Sequence, residues 1–283
     1  MLRSWDFDPA VLGPVAAAGA LYAWGLVRVR RVRGPRAFPP RRAAFFWAGL
    51  AVVLLAVEGP MHHYAHLLLS VHMAQHLALT MVAAPLLVLG TPGVLALQAS
   101  SREVRRSVVV PALHSRLART VASPVACWVL FATVLWGTHY SALYDAAVRS
   151  SALHAVEHGA LLAAAVLFWF PVVGLDPGPR RLSHPGRLLY LFLSMPVTAV
   201  LGLSIYSADR VLYPSYAGST RSLGLSPLSD QHLAGAMMWE SGMVVVVVAL
   251  GAVLFDWLNR EERAGEREDA RRDRAAARAA SSG

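Results

Sequence analysis

Seven long apolar segments constrain the fold of this chain more than any other feature. They cover residues 10–28, 43–58, 67–90, 123–138, 152–173, 187–206 and 231–256. At a rise of about 1.5 Å per residue, segments of this length cross a hydrocarbon layer of about 30 Å. Inside that layer the backbone must satisfy its own hydrogen bonds, which favours helices. The sequence therefore predicts an all-α, polytopic membrane helix bundle with seven transmembrane helices.

The composition agrees with a membrane protein. Of the 283 residues, 15% are charged and 56% are hydrophobic, whereas about a quarter of a soluble domain is charged. The formal net charge is +9, but the arginines lie in blocks without interleaved aromatic residues, so we expect no nucleic-acid partner. The single cysteine, Cys127, rules out an internal disulfide and a cysteine-based metal motif. The opening residues lack a small-residue cleavage site, so we expect no signal peptide.

Arginine placement predicts how the bundle lies in the membrane, because cytoplasmic loops are enriched in basic residues. Here 22 of the 26 basic residues, all arginine, lie at or after the ends of the first, third, fifth and seventh segments. The N-terminus is therefore expected outside and the C-terminus in the cytoplasm. Residues 1–258 are expected to form the transmembrane domain, and residues 259–283 a charged, partly disordered cytoplasmic tail.

Two pairs of histidines lie in apolar segments, in the halves that this topology places near the outer surface. His72 and His76 in SVHMAQHLAL are four residues apart, as are His154 and His158 in LHAVEHGALL, so each pair shares a helix face. Ionisable groups inside a membrane usually face the bundle interior or a cavity. Because neutral imidazoles suit Cu, Zn or Fe, the pairs are predicted to converge on one metal ion. A polar network between helices is the alternative.

Nine further polar residues are candidates for ligation or for support of the ligands. They are Glu58, His62, His63, His66, His139, Glu157, Asp230, Gln231 and Glu240. The loop histidines are either ordinary exposed residues or a first binding site for an incoming metal, and His139 is a ligand or an interfacial residue. Asp230 is expected to cap its own helix or to hold a histidine N–H group. Glu157 is expected to face a neighbouring helix, and Glu240 lies deep in the seventh segment.

Three stretches of the sequence carry a family resemblance. The chain resembles the CtaG-type cytochrome c oxidase assembly factors over roughly residues 40–256. The stretches that carry the resemblance are LLSVHMAQHLALTMVAAPLLVLGTPG, THYSALYDAAVRSSALHAVEHGALLAAAVLFWFPVVGLDP and VLYPSYAG…LSPLSDQHLAGAMMW. The family's HMxQH motif corresponds to His72, Met73, Gln75 and His76, and its HxxEH motif corresponds to His154, Glu157 and His158. Its DQxxAG motif corresponds to Asp230, Gln231, Ala234 and Gly235. The chain departs from the family pattern at Glu240, Ser241 and Gly242, where an apolar residue, proline and glycine are expected.

The resemblance implies a multi-pass protein of the bacterial inner (cell) membrane, surrounded by lipid, that serves in maturation of the haem–copper oxidase and is not an enzyme. It implies copper as the cofactor and the oxidase subunit with the copper centre as the partner. Zinc and haem are the alternative cofactors; a copper permease and a haem- or di-metal-binding membrane oxidoreductase are the alternative functions. Homo-oligomer formation is left open. Because imidazole binds metal only when deprotonated, binding is expected to weaken below about pH 6.

Overall fold

The computed structural model of the protein describes residues 8–139, 150–174 and 182–282, and it has no strand within these ranges. Seven helices correspond to the seven apolar segments: α1 (Pro9–Arg33), α2 (Pro40–Val57), α3 (Leu69–Ala99, in several pieces), α4 (Pro124–His139), α5 (Ser151–Val173), α6 (His184–Tyr206) and α7 (Pro227–Ser282). Six of them are long and apolar enough to cross a membrane, and α4 is a shorter apolar helix. The prediction of an all-α membrane bundle is confirmed, and these helices are consistent with the seven predicted spans.

Shorter helices occupy the connections between the long ones. They are Pro60–Ala65, Arg102–Val104, Arg105–Val109, Val110–Leu113, Arg116–Val121, Pro214–Tyr216 and Ala217–Ser222. The first joins α2 to α3 and the last two join α6 to α7, so both connections lie at the end of the bundle where the histidines are predicted. Some residues used for the topology lie outside the described ranges, namely residues 1–7 with Arg3, and Arg149, Arg180 and Arg181.

Helix α3 changes its winding directly after its histidine pair. Its α-helical start, Leu69–Leu77, is followed by a π-helical turn, Ala78–Ala83, and by a return to α-helix. The indole of Trp169 in α5 donates to the carbonyl oxygen of Thr80 in this turn, at 2.9 Å. A last piece, Pro92–Ala99, extends α3 beyond the predicted end of the third segment. Since π turns inside helices frequently accompany functional sites, the position of this one singles out the histidines before it.

Helices α6 and α7 approach each other closely through two glycines. A Cβ atom added at Gly235 would lie 2.5 Å from the backbone nitrogen of Tyr206 and 2.7 Å from the carbonyl oxygen of Gly202. Small residues allow such backbone contact between membrane helices. The contact fixes the start of α7, which carries Asp230 and Gln231.

Replacing Gly235 with alanine is expected to destabilise the bundle by about 1–3 kcal/mol, the usual cost of overpacking a close contact. The matched control is Gly251→Ala, which adds the same methyl group to the same helix where no atom lies within 4 Å. Thermal unfolding in detergent measures both variants. Equal melting temperatures for the two would contradict the importance of this contact.

The buried core lies among α3, α4, α5, α6 and α7. Its members include Met73, Phe131, Leu161, Phe168 and Leu191, all almost fully buried. A second apolar cluster joins α1, α2 and the end of α3. The outer faces of α1, α6 and α7 instead expose many large apolar side chains, which suits helices that face lipid.

Helix α7 continues to Ser282, far beyond the predicted transmembrane domain. The sequence predicted a charged, partly disordered tail over residues 259–283, and the structure has helix over residues 259–282. Alanine, glutamate and arginine, which dominate this tail, are good helix formers. Ion pairs four residues apart add support, with Arg260 3.0 Å from Asp256 and Arg272 3.4 Å from Glu268. The cytoplasmic location of the tail stays a prediction.

Candidate metal centre

Seven histidines and one glutamate gather at the end of the bundle that holds the short helix Pro60–Ala65. They come from the connection after α2, from α3, from the end of α4 and from α5: His62, His66, His72, His76, His139, His154, His158 and Glu157. We call this set the histidine cluster. Six of its members are at most 6% exposed, and the other two, His62 and His66, are more accessible.

The two histidine pairs predicted from their spacing face each other between α3 and α5. The ring centroids of His72 and His154 are 4.9 Å apart, and those of His76 and His158 are 5.3 Å apart. Within the pairs, the centroids are 4.4 Å apart in α3 and 4.2 Å apart in α5. Spacing places each pair on one helix face, and the packing of α3 against α5 brings the two faces together.

Three overlapping groups within the cluster have the composition and spacing of metal sites. They are the outer site (His62, His66, His154), the middle site (His72, His154, His158) and the inner site (His72, His76, Glu157). In each group the candidate ligand atoms lie within 4.8 Å of one another. The outer site contains the exposed His66, whereas every member of the middle and inner sites is buried, and the inner site contains His76, the member of the α3 pair farther from the start of α3. Imidazole nitrogens with a carboxylate are a donor set for first-row transition metals.

Glu157 faces the neighbouring helix α3, where it meets the histidine pair of that helix. Its carboxylate oxygens lie 3.9 Å from Nε2 of His72 and 3.8 Å from Nε2 of His76. Residues i, i+3 and i+4 share one side of a helix, so Glu157 is on the same side of α5 as His154 and His158. The inner site therefore combines two imidazoles with one potential negative charge.

Hydrogen bonds orient the rings of the inner site. The hydroxyl group of Tyr216 lies 2.9 Å from Nδ1 of His72, and Nε2 of His72 lies 2.9 Å from Nε2 of His76. Nδ1 of His139 donates to the carbonyl oxygen of Leu135 at 2.6 Å, and its Nε2 lies 3.3 Å from Nδ1 of His76. A partner on one ring nitrogen determines which nitrogen is available to a metal. His139 is thus buried beside the inner site.

Two tyrosines that were not predicted as site residues support the cluster. Tyr216 contacts His72, and the hydroxyl group of Tyr213 donates to the carbonyl oxygen of His139 at 3.0 Å. Both tyrosines are almost fully buried. Their only sequence signal is their place in VLYPSYAG, within the family resemblance, because a tyrosine in a connection has no periodicity that reveals its contacts.

Asp230 caps the first turn of α3 rather than that of its own helix. Its carboxylate accepts hydrogen bonds from the backbone N–H of Leu69 at 2.7 Å and from the hydroxyl group of Ser70 at 2.5 Å. Leu68, which precedes α3, has no side-chain acceptor, so a carboxylate from α7 satisfies the free N–H group. Asp230 was predicted to cap its own helix or to hold a histidine N–H group, and both predictions were wrong. It lies inside the first turn of α7, and its carboxylate contacts the neighbouring helix α3. The bond fixes the start of α3 just before His72.

Gln231 holds the connection that carries the two tyrosines. Its Oε1 accepts a hydrogen bond from the backbone N–H of Leu212 at 2.7 Å, and its Nε2 donates to the carbonyl oxygen of Arg210 at 3.1 Å. Gln231 belongs to none of the three metal groups within the described ranges. Its role in the structure is to position the loop before Tyr213.

Three other candidates also lie outside the metal groups found among the described residues. Glu58 is buried, and its Oε2 accepts a hydrogen bond from the backbone N–H of Asp8 at 3.0 Å. His63 is exposed, and its ring lies edge-on to Tyr64. Glu240 is exposed on α7, so its depth in the sequence does not place it in the bundle interior, because its helix face turns away from the core.

Several buried polar atoms of the cluster make no hydrogen bond to any described residue. They are Nε2 of His154, both ring nitrogens of His158 and both carboxylate oxygens of Glu157. Buried polar groups without partners are costly in an apolar interior. A cation in the middle site would satisfy lone pairs of His154 and His158, and one in the inner site would satisfy those of Glu157, so the donor set fits a metal.

Apolar side chains close the cluster on its inner side. Farther from the cluster along each helix lie Leu79 in α3, Phe131 in α4, and Leu161 and Phe168 in α5, all at most 2% exposed. The exposed member of the cluster, His66, belongs to the connection at the opposite end. Among the described residues, the cluster is thus exposed only at the end that holds the short helix Pro60–Ala65.

Comparison with known families decides what kind of protein carries this cluster. The model of the family described as "Cytochrome c oxidase caa3 assembly factor (Caa3_CtaG)" matches residues 20–260. The chain belongs to this family. The match includes every member of the histidine cluster and confirms the resemblance drawn from the three sequence stretches. The description of the Caa3_CtaG family names an assembly factor and not an enzyme.

The chain is also similar to mycobacterial proteins that are described as uncharacterized. Relatives from Mycobacterium bovis and Mycobacterium tuberculosis are each 31% identical over 282 residues, which is 96% of this chain and 42% of the relative. A relative from Mycobacterium leprae is 29% identical over 276 residues, with 95% and 42% covered. The chain thus spans about two fifths of the length of these curated relatives. No solved structure matches it.

Proposed function

We propose that this protein is an assembly factor for cytochrome c oxidase that binds copper in the histidine cluster and helps to mature a copper centre of the oxidase. Membership of the Caa3_CtaG family supports the oxidase part. The observation that carries the metal part is the set of three overlapping groups, in which buried Glu157 and His158 make no hydrogen bond to described residues. Copper is the cargo, which the protein holds and passes on.

Copper suits this donor set better than the alternatives. The three groups offer imidazole nitrogens and one carboxylate, and for such ligands the affinity of divalent first-row metals is highest for Cu²⁺. Zinc also accepts these ligands but binds less tightly in that order. The centroids of neighbouring histidine rings are only 4.2 to 5.9 Å apart, which leaves no space for a haem between them.

The proposed location is the outer half of the bacterial cell membrane. The arginine distribution supports an N-terminus outside and a C-terminus in the cytoplasm. Copper that arrives from outside then meets exposed His66 first, and the partner is the oxidase subunit that carries the copper centre. The exposed apolar faces of the bundle contact lipid in this arrangement.

The apolar closure of the cluster favours an assembly factor over a copper permease. A permease needs polar groups that lead through the inner half of the bundle. Here Leu79, Phe131, Leu161 and Phe168 occupy that direction. A metal that enters from the outer end is therefore expected to leave by the same end.

The test measures tightly held copper in the purified full chain. We expect the wild type to retain copper after a wash with a weak chelator, and a variant with His72→Ala and His76→Ala to retain at least about tenfold less, since losing ligands costs more than the 10–100-fold typical of their supporting residues. Elemental analysis measures the copper. His63→Ala, an exposed histidine outside the three groups, is the matched control.

Equal copper in the wild type and the double variant would refute the copper proposal. Circular dichroism and the melting temperature of each variant show whether a loss of copper reflects unfolding. Parallel loading with zinc identifies the preferred metal, and retention of zinc in place of copper would also overturn the proposal.

A further inference from the structure

We propose that the histidine cluster is a series of three sites along which one copper ion moves, from the outer site to the inner site, by exchange of ligands at His154 and His72. This inference rests on the proposed copper function and adds a direction and an order of binding. It is carried by the way in which the three groups overlap.

Each neighbouring pair of sites shares one histidine. His154 belongs to the outer and middle sites, and His72 belongs to the middle and inner sites. An ion can therefore acquire the ligands of the next site while a shared imidazole still holds it. It need never return to a fully solvated state inside the bundle, where that state is costly.

The distances between rings support steps from one site to the next. The ring centroid of His154 lies 5.9 Å from that of His62 and 5.3 Å from that of His66. On its other side, the same centroid lies 4.2 Å from that of His158 and 4.9 Å from that of His72. His154 is thus in reach of both the outer and the middle ligands.

Burial and charge set the direction of movement. The outer site includes exposed His66 and contains imidazoles alone, so water competes for an ion there. The inner site is fully enclosed and contains Glu157, the only carboxylate in the three groups. A negative charge attracts a cation more strongly where the surroundings are apolar, so the inner site is expected to hold copper more tightly.

The overlap also limits how many ions bind at once. The outer and inner sites have no residue in common, but the middle site shares a ligand with each of them. We therefore expect saturation at two copper ions per chain, one weakly and one tightly held, with the middle site used only in transit.

The first experiment titrates the purified full chain with Cu²⁺ and counts bound ions before and after a wash with a weak chelator. Two ions before the wash and one after it are expected. Binding of three ions before the wash would overturn the proposal. So would binding of a single ion before the wash by the wild type, if the His62→Ala, His66→Ala variant still binds that ion.

The second experiment measures how fast chelator-resistant copper appears after rapid mixing with Cu²⁺. The His62→Ala, His66→Ala variant is expected to reach the wild-type amount of tight copper at least about tenfold more slowly, because the first ligands are missing. His63→Ala, on the same short helix, is the matched control and is expected to load at the wild-type rate.

Loading of the double variant at the wild-type rate would show that the outer site does not capture the ion first, while leaving the proposed copper binding unaffected. Absence of tight copper from the wild type would instead refute the proposed function.

Discussion

Cells whose only copy of this protein carries His72→Ala and His76→Ala are expected to assemble cytochrome c oxidase that lacks copper, with oxidase activity at least about tenfold below normal. Both residues belong to the inner site, where their Nε2 atoms lie 2.9 Å apart and less than 4 Å from the carboxylate of Glu157. Their loss removes two of the three ligands that we propose hold copper tightly. The measurements are the copper content of the purified oxidase and its activity per oxidase polypeptide.

The control for this experiment is the His63→Ala strain, which removes a nearby imidazole from outside the three groups. It is expected to make oxidase with normal copper. Immunodetection in membranes establishes that the double variant is inserted at the wild-type level. Normal oxidase copper in a strain with normal levels of the double variant would contradict a copper role for the inner site.

Replacing Tyr216 with phenylalanine is expected to weaken tight copper binding by about 10–100-fold, the usual effect of removing a group that orients a metal ligand. The hydroxyl group of Tyr216 lies 2.9 Å from Nδ1 of His72, and both side chains are buried. Without it, the ring of His72 loses the contact that keeps Nε2 directed at His76. Competition with a chelator of known copper affinity measures the change.

Tyr213→Phe is the matched control for this prediction. Tyr213 is also buried near the cluster, but its hydroxyl group donates to the backbone carbonyl of His139 and not to a ring nitrogen. It is expected to alter the melting temperature more than the copper affinity. An equal loss of affinity in both variants would show that the tyrosines act by packing their connection and not by orienting His72.

Sequence alone predicted the parts of the site that depend on one helix at a time. The seven apolar segments predicted the long helices, because the backbone in an apolar layer must bond within its own segment. The spacing of His72 from His76 and of His154 from His158 predicted two faces that carry imidazoles. Both inferences use only local geometry. The same reasoning was incomplete for the ends of α3 and α7, where helix continues past the apolar segment.

Contacts between distant parts of the chain were beyond the reach of this reasoning. Tyr216 meets His72 across 144 positions of sequence, and Asp230 caps α3 across 161 positions. Glu240 was a candidate for its depth, yet the rotation of α7 leaves it exposed. Periodicity shows that two residues share a face but not which neighbouring helix that face meets.

The sequence by itself determined that this chain forms a bundle of apolar helices and that two of these helices each carry a pair of imidazoles, because helix length and helix periodicity are properties of a single segment. Only the tertiary structure decided that the pairs meet, that Glu157 joins them and that His154 and His72 each serve two groups. The reason is that these features depend on the packing of α3 against α5 and on contacts such as Asp230 with Leu69, which join parts of the chain that are far apart in sequence.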